Sequence, residues 1–112
     1  MGAFIIKFDT RRGPRYLEYS TVCDAPITYG MTLTAFKKHY LKQYGATSQS
    51  DMEGRLARTE ATGTSSRIHA SVADVIKMNR AGKDATRLTV DQIIDYYVIR
   101  QGKGAWPTGT KH

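Results

Sequence analysis

Apolar side chains alternate with polar ones at the start of the chain and later recur at helical spacing, and that switch organises the sequence. In residues 4–9, Phe4, Ile6 and Phe8 share one side while Ile5, Lys7 and Asp9 share the other, as in a strand. Tyr16–Cys23 alternates in the same way, with Leu17, Tyr19, Thr21 and Cys23 against Tyr16, Glu18, Ser20 and Val22. Between them, Thr10–Arg15 is a Gly-Pro turn, so the two strands are expected to pair as an antiparallel hairpin. A lone hairpin is marginal in water and needs helices or a third strand to pack on. Asp24–Gly30 is irregular, with Pro26 as a break.

From Thr32 the spacing becomes helical. Thr32 is a cap, Leu33, Phe36, Tyr40, Leu41 and Tyr44 make an apolar stripe, and Gly45 ends the helix. Ser50 and Glu53 suggest a capping box for a short helix from Asp51 to about Ala61, which Gly54 and the threonines weaken. Thr62–Ser66 is a loop. Ser71–Gly102 reads as two capped helices joined by a basic loop. Ser71 and Asp74 cap the first, which carries Val72, Val75, Ile76 and Asn79 on one face and ends at Gly82. The second has a Thr89–Gln92 capping box, Leu88 placed as a staple for Ile93, and a stripe of Val90, Ile93, Ile94, Tyr97 and Val98. The expected fold is α+β: an N-terminal antiparallel β-hairpin followed by three to four α-helices that bury their stripes against one face of it. Residues 1–102 form a single domain and residues 103–112 a mobile C-terminal tail.

The 112-residue length suits one domain with a modest core. No apolar run approaches the roughly 18–20 residues of a membrane span, so no membrane partner is expected. Met1–Phe8 lacks the basic and apolar regions of a secretory signal. A single cysteine, Cys23, excludes an intrachain disulfide and points to a reducing, cytoplasmic location. It is expected as a half-buried residue at a strand end. Seventeen basic against ten acidic side chains give a net charge of +7. That excess fits a polyanion partner, and equally a basic protein kept in solution by its charge.

Two basic groups stand out. Arg11, Arg12 and Arg15 place three guanidiniums at the hairpin tip, where they could lie across phosphates, with Tyr16 and Tyr19 beside them to stack on bases. The plain alternative is a solvated turn flanked by core aromatics. Lys37, Lys38 and Lys42 form the outer face of the first helix, which is also the default for an amphipathic helix. The pair of helices in 71–101 invites a helix-turn-helix reading. However, Gly82–Leu88 is too long a turn, and Asp91 and Asp95 on the second helix would face phosphate, so a packed helical hairpin is the stronger expectation. His39, His69 and His112 have no metal spacing, and no cysteine cluster accompanies them. Ser65, Ser66, Arg67 and His69 form no recognisable triad, and Gly63–Ser66 lacks the pattern of a phosphate loop. No catalytic residue, metal or cofactor is expected. Trp106, followed by Pro107, is either an anchor for a protein partner or a residue folded back on the domain.

The run Tyr19–Met31, with Gly63–Ser66 and Asn79–Gly82, resembles small uncharacterised proteins of actinobacterial phages, with similar blocks from Phe4 to Tyr97. The resemblance implies a phage origin and no particular binding residue. Two functions follow as expectations. The first is a non-enzymatic nucleic-acid-associated protein using Arg11, Arg12, Arg15, Lys37, Lys38 and Lys42. The second is a module that binds a host protein or another virion subunit through Trp106 and exposed tyrosines such as Tyr16. A small nuclease is disfavoured because no acid-base or metal constellation is visible. An open hairpin edge leaves a homodimer available.

Overall fold

Ile6 stands opposite Leu17, and Phe4 opposite Tyr19, at the centre of an antiparallel hairpin. Its strands are β1, Ala3–Thr10, and β2, Gly13–Ser20. The computed structural model describes residues 3–66, 71–77, 79–82 and 86–104. A third strand, β3, is the dipeptide Ala25–Pro26, paired antiparallel to the end of β2. Pro26, expected as a break, sits at a sheet edge, where a missing N–H costs no ladder bond. Further along the same side of β2, Tyr16 and Met31 exchange backbone hydrogen bonds of 2.7 and 2.8 Å.

The outer side of β1 is also covered. The Lys7 N–H donates to the Gly63 carbonyl at 2.8 Å, and the Ser65 N–H to the Ile5 carbonyl at 2.9 Å. Ser65 Oγ accepts from the Ile5 N–H at 2.8 Å. Residues 63–65, expected as a loop, therefore run along the sheet as an edge segment, and Thr64, Ser65 and Ser66 are buried. The open edge behind the homodimer expectation is occupied along its middle on both sides.

The expectation that the helices pack on one face of the hairpin is corrected: they cover both. On one face, Ile5 and Tyr16 join Phe36, Tyr40, Met52 and Leu56 from α1, Leu33–Tyr44, and α2, Gln49–Thr62. On the other, Ile6, Phe8, Leu17 and Tyr19 join Val75 and Ile76 from α3, Val72–Ile76, with Leu88, Ile93, Tyr96, Tyr97 and Val98. Strand alternation sends successive side chains to opposite faces, and here both sets contain large apolar residues. A short 3-10 turn, Ala46–Ser48, joins α1 to α2.

Local chemistry explains where the helices begin and end. Thr32 accepts from the Ala35 N–H and starts α1, and Gly45 closes it with its N–H on the Leu41 carbonyl. For α2, the capping box expected from Ser50 and Glu53 is absent: the helix starts two residues earlier, after Ser48, and ends at Gly63 in the left-handed conformation. The helix expected over 71–81 stops at Ile76. Asn79 is the cause: its buried amide nitrogen donates to the carbonyls of Ile76 (2.7 Å) and Leu88 (2.8 Å), and its oxygen accepts from the Leu88 N–H at 2.9 Å. A side chain that bonds backbone this well competes with helix continuation. With α3 only five residues long, the described residues do not form the expected pair of long packed helices.

The last helix begins at the expected capping box of Thr89 and Gln92. Its α-helical part, α4, spans only Val90–Ile93 before the winding loosens into a π-helix, Ile94–Ile99. β2 ends at Ser20, so Cys23 is exposed beyond the strand rather than half-buried within it. Trp106, His69, His112 and the tail from residue 105 lie outside the described residues. Among the described residues no helix is long and apolar enough to cross a membrane.

Candidate functional site

The hairpin turns through Arg11 and Arg12 alone, because Thr10 pairs directly with Gly13. Gly13 takes φ 104, the left-handed geometry that lets a tight turn rejoin the strand twist. Thr10 Oγ1 pins the turn, donating to the Gly13 carbonyl at 2.6 Å and accepting from the Arg12 N–H at 3.3 Å. Arg11 and Arg12 are exposed on the turn, while Arg15 is half-buried on β2, not on the turn as expected. Arg15 Nη1 donates to the carbonyls of Pro14 (3.0 Å) and Arg12 (3.3 Å), which folds its guanidinium back beside the other two.

All three arginines line one groove of about 640 Å³. Asp9 and Thr10 complete the hairpin side, and Ile94, Val98, Ile99 and Gln101 form the facing wall. The size falls within that of small-molecule sites. Among the described residues none of the three guanidiniums is held in an ion pair; the ion pairs are Lys7–Glu60, His39–Glu18, Arg55–Asp51 and Arg100–Asp95. Three guanidiniums make the groove positive; Asp9 borders it, with its side chain leaving β1 on the Ile5 side beside Lys7.

The facing wall owes its shape to the π-helix. An i→i+5 closure brings exposed Ile99 back over half-buried Ile94, and the two line the groove with buried Val98 at its edge. Ile99 is 66% exposed, among the largest apolar exposures of the described residues. Gln101 follows with φ 54, a conformation side chains seldom adopt, held by its Nε2 donating to the carbonyls of Gly30 and Val98, both at 2.8 Å. A π-helical turn and a strained residue thus converge on the wall opposite the arginines. The sequence singled out Arg11, Arg12 and Arg15 but not Gln101 as site residues; Ile94 and Val98, expected in the core stripe, do pack in that core and border the groove from it. The one available signal was Ile99, an apolar residue off that stripe.

The second basic group lies elsewhere. Lys37, Lys38 and Lys42 are exposed on α1, which packs on the Ile5 face of the sheet. The groove wall belongs to the layer on the Ile6 face. The two groups therefore sit on opposite layers and do not converge. Tyr16, expected to offer its ring to bases or to a protein, is 2% exposed, and its hydroxyl donates to Glu60. Tyr19 is 1% exposed. Neither ring is available for stacking; both are core residues of their strand.

The α1–α2 layer has its own polar chemistry. Buried Glu18 accepts from the Tyr44 hydroxyl at 2.6 Å and faces His39 Nε2 at 3.3 Å. The Tyr40 hydroxyl donates to Asp51 at 2.8 Å, and Arg55 pairs with the same carboxylate at 3.0 Å. Burial, then the bond to the carboxylate, pushes the Tyr16 and Tyr40 phenols up to about 12. Tyr16 first, and then Lys7, holds Glu60 below the usual carboxylate range. Tyr40 does most to hold Asp51 down, with Arg55 assisting. These groups answer one another, tying helices to sheet. Among the described residues no group of three His, Cys, Asp or Glu side chains could hold a metal ion. Comparison of the chain with protein-family models, curated proteins and solved structures finds no match.

Proposed function

We propose that the chain is a small basic, non-enzymatic protein that associates with nucleic acid through the groove at its hairpin tip. The observation that carries the reading is the gathering of Arg11, Arg12 and Arg15 on one groove, with none of them engaged in an ion pair among the described residues. Guanidiniums recognise phosphate by paired hydrogen bonds as well as by charge, and their planar groups lose little hydration on contact. The net charge of +7 supports approach to a polyanion. Lys37, Lys38 and Lys42, on the other layer, act as a separate and weaker attraction. A phage origin, proposed on the resemblance, would place the protein in the cytoplasm of a bacterial host.

A second reading, a module that binds a host or virion protein, draws support from Val22 (86% exposed), Ile27 (51%) and Tyr29 (45%) around β3. Such apolar exposure suits a protein partner better than a phosphate strand.

The test is binding of the protein to random-sequence single- and double-stranded DNA and RNA, with two triple-alanine variants beside the wild type. The Arg11/Arg12/Arg15 variant is expected to lose binding, and the Lys37/Lys38/Lys42 variant to keep most of it. Loss in the lysine variant alone would overturn the groove as the site. Absence of binding at low salt would remove the nucleic-acid reading and leave the protein-binding one.

A further inference from the structure

Phosphate contacts account for only half of the groove. Ile94, Val98 and Ile99 offer nothing to an anion, yet they form the wall directly across from the arginines. Ile99, 66% exposed, and half-buried Ile94 leave apolar surface open beside the buried Val98. A flat apolar partner would stabilise it, and a nucleic-acid strand carries one such surface, the face of an unpaired base. Enzymes and single-strand binders hold extruded bases against apolar as well as aromatic side chains. A duplex keeps its bases stacked inside and would present only phosphates here.

A polar group on the apolar wall suits the edge of a base. The Gln101 amide nitrogen is committed to Gly30 and Val98, which leaves its oxygen as an acceptor. That oxygen can accept from the exocyclic amino groups of cytosine, adenine or guanine.

Resting on the nucleic-acid reading above, we infer that the groove binds single-stranded nucleic acid with one unpaired base laid against Ile94, Val98 and Ile99, while Arg11, Arg12 and Arg15 hold the neighbouring phosphates. The wall is prepared for this. The π-helical winding places Ile99 over Ile94, and the Gln101 anchor fixes the end of the helix at left-handed φ.

The experiment titrates the protein at one fixed salt concentration with a mixed-sequence single strand, a strand of equal length made only of abasic sugar-phosphate units, and a duplex. Deoxyribose and ribose strands are run in parallel, and their ratio assigns the sugar. The intact strand is expected to bind about tenfold more tightly than the abasic strand, in line with the worth of one base contact. Ile99→Ser, at an exposed position that leaves the core untouched, is expected to erase most of that difference without changing the abasic strand's affinity. Equal affinity for intact and abasic strands, with both abolished in the Arg11/Arg12/Arg15 variant, would overturn the base seat while the phosphate reading stood. Failure of every strand to bind would overturn both. A duplex bound as tightly as the single strand would also overturn the base seat.

Discussion

The two faces of the sheet are built from the same strands and finished differently. On the Ile5 face, each of three tyrosine hydroxyls ends on a carboxylate: Tyr16 on Glu60, Tyr40 on Asp51 and Tyr44 on Glu18. Two regular helices of 12 and 14 residues cover it. On the Ile6 face the buried Tyr19 hydroxyl has no hydrogen-bond partner among the described residues. The described cover there is a five-residue helix, a four-residue helix and a π-helical turn. The closed face maximises satisfied packing. The other leaves apolar surface, backbone strain and positive charge together at one end, the combination expected where structure yields to a ligand.

The sharpest way to break this comparison is to cut one side chain from each face. Phe36, fully buried on the closed face, is expected to cost about 3–5 kcal/mol on conversion to Ala, read as a shifted denaturation midpoint. Ile99→Ala in the groove should change stability by no more than about 0.5 kcal/mol. Similar costs would mean that the groove wall is core rather than site.

The tyrosines give the next contrast. Tyr44→Phe leaves the buried Glu18 carboxylate short of a donor and is expected to cost about 1–3 kcal/mol. Tyr19→Phe removes a hydroxyl that bonds nothing described, so it should be neutral or stabilising in the same denaturation assay. A Tyr19→Phe penalty as large as that of Tyr44→Phe would show that the two faces are equally satisfied.

A pH series sharpens the picture further. The folded phenols of Tyr16, Tyr40 and Tyr97 ionise at about 12, against 10 when unfolded. A raised folded pKa means that their contribution is complete below pH 10 and is lost as pH climbs from there towards 12. On the acid side Glu60 and Asp51 are held below their ordinary values of 4.5 and 3.8. Their contribution is present above those values and fades as pH falls through the depressed ones. Both carboxylates are exposed, so the acid effect is small. It should appear first as faster amide exchange in α2, on the closed face.

Much of the hairpin and of α1 was legible in the sequence. Thr32 and Gly45 bracket α1 because capping and glycine termination are local, and alternation puts Phe4, Ile6 and Phe8 on one side of β1 and Leu17 and Tyr19 on one side of β2. The Ile5 face was obscured as a covered face because Lys7 and Glu18 make it look half-polar. They fit there only because Glu60 and Tyr44, distant in sequence, answer them. The end of α3 depends on Asn79 reaching Leu88, and no helical periodicity reports that bond. The groove was half legible. Arg11, Arg12 and Arg15 are adjacent in the chain, whereas their facing wall lies some eighty residues away and depends on a change of winding that a 3.6-residue pattern does not encode.

The most direct test of the groove is the salt dependence of single-strand affinity, measured from low to physiological salt in wild type and in the Arg11/Arg12/Arg15 triple-alanine variant. Three arginines acting alone give a log–log slope of about −2, at about 0.7 per phosphate, and the slope should collapse in the variant. A slope near −4 in the wild type that survives in the variant would contradict the account, placing the binding charge on Lys37, Lys38, Lys42 and other residues of the opposite layer.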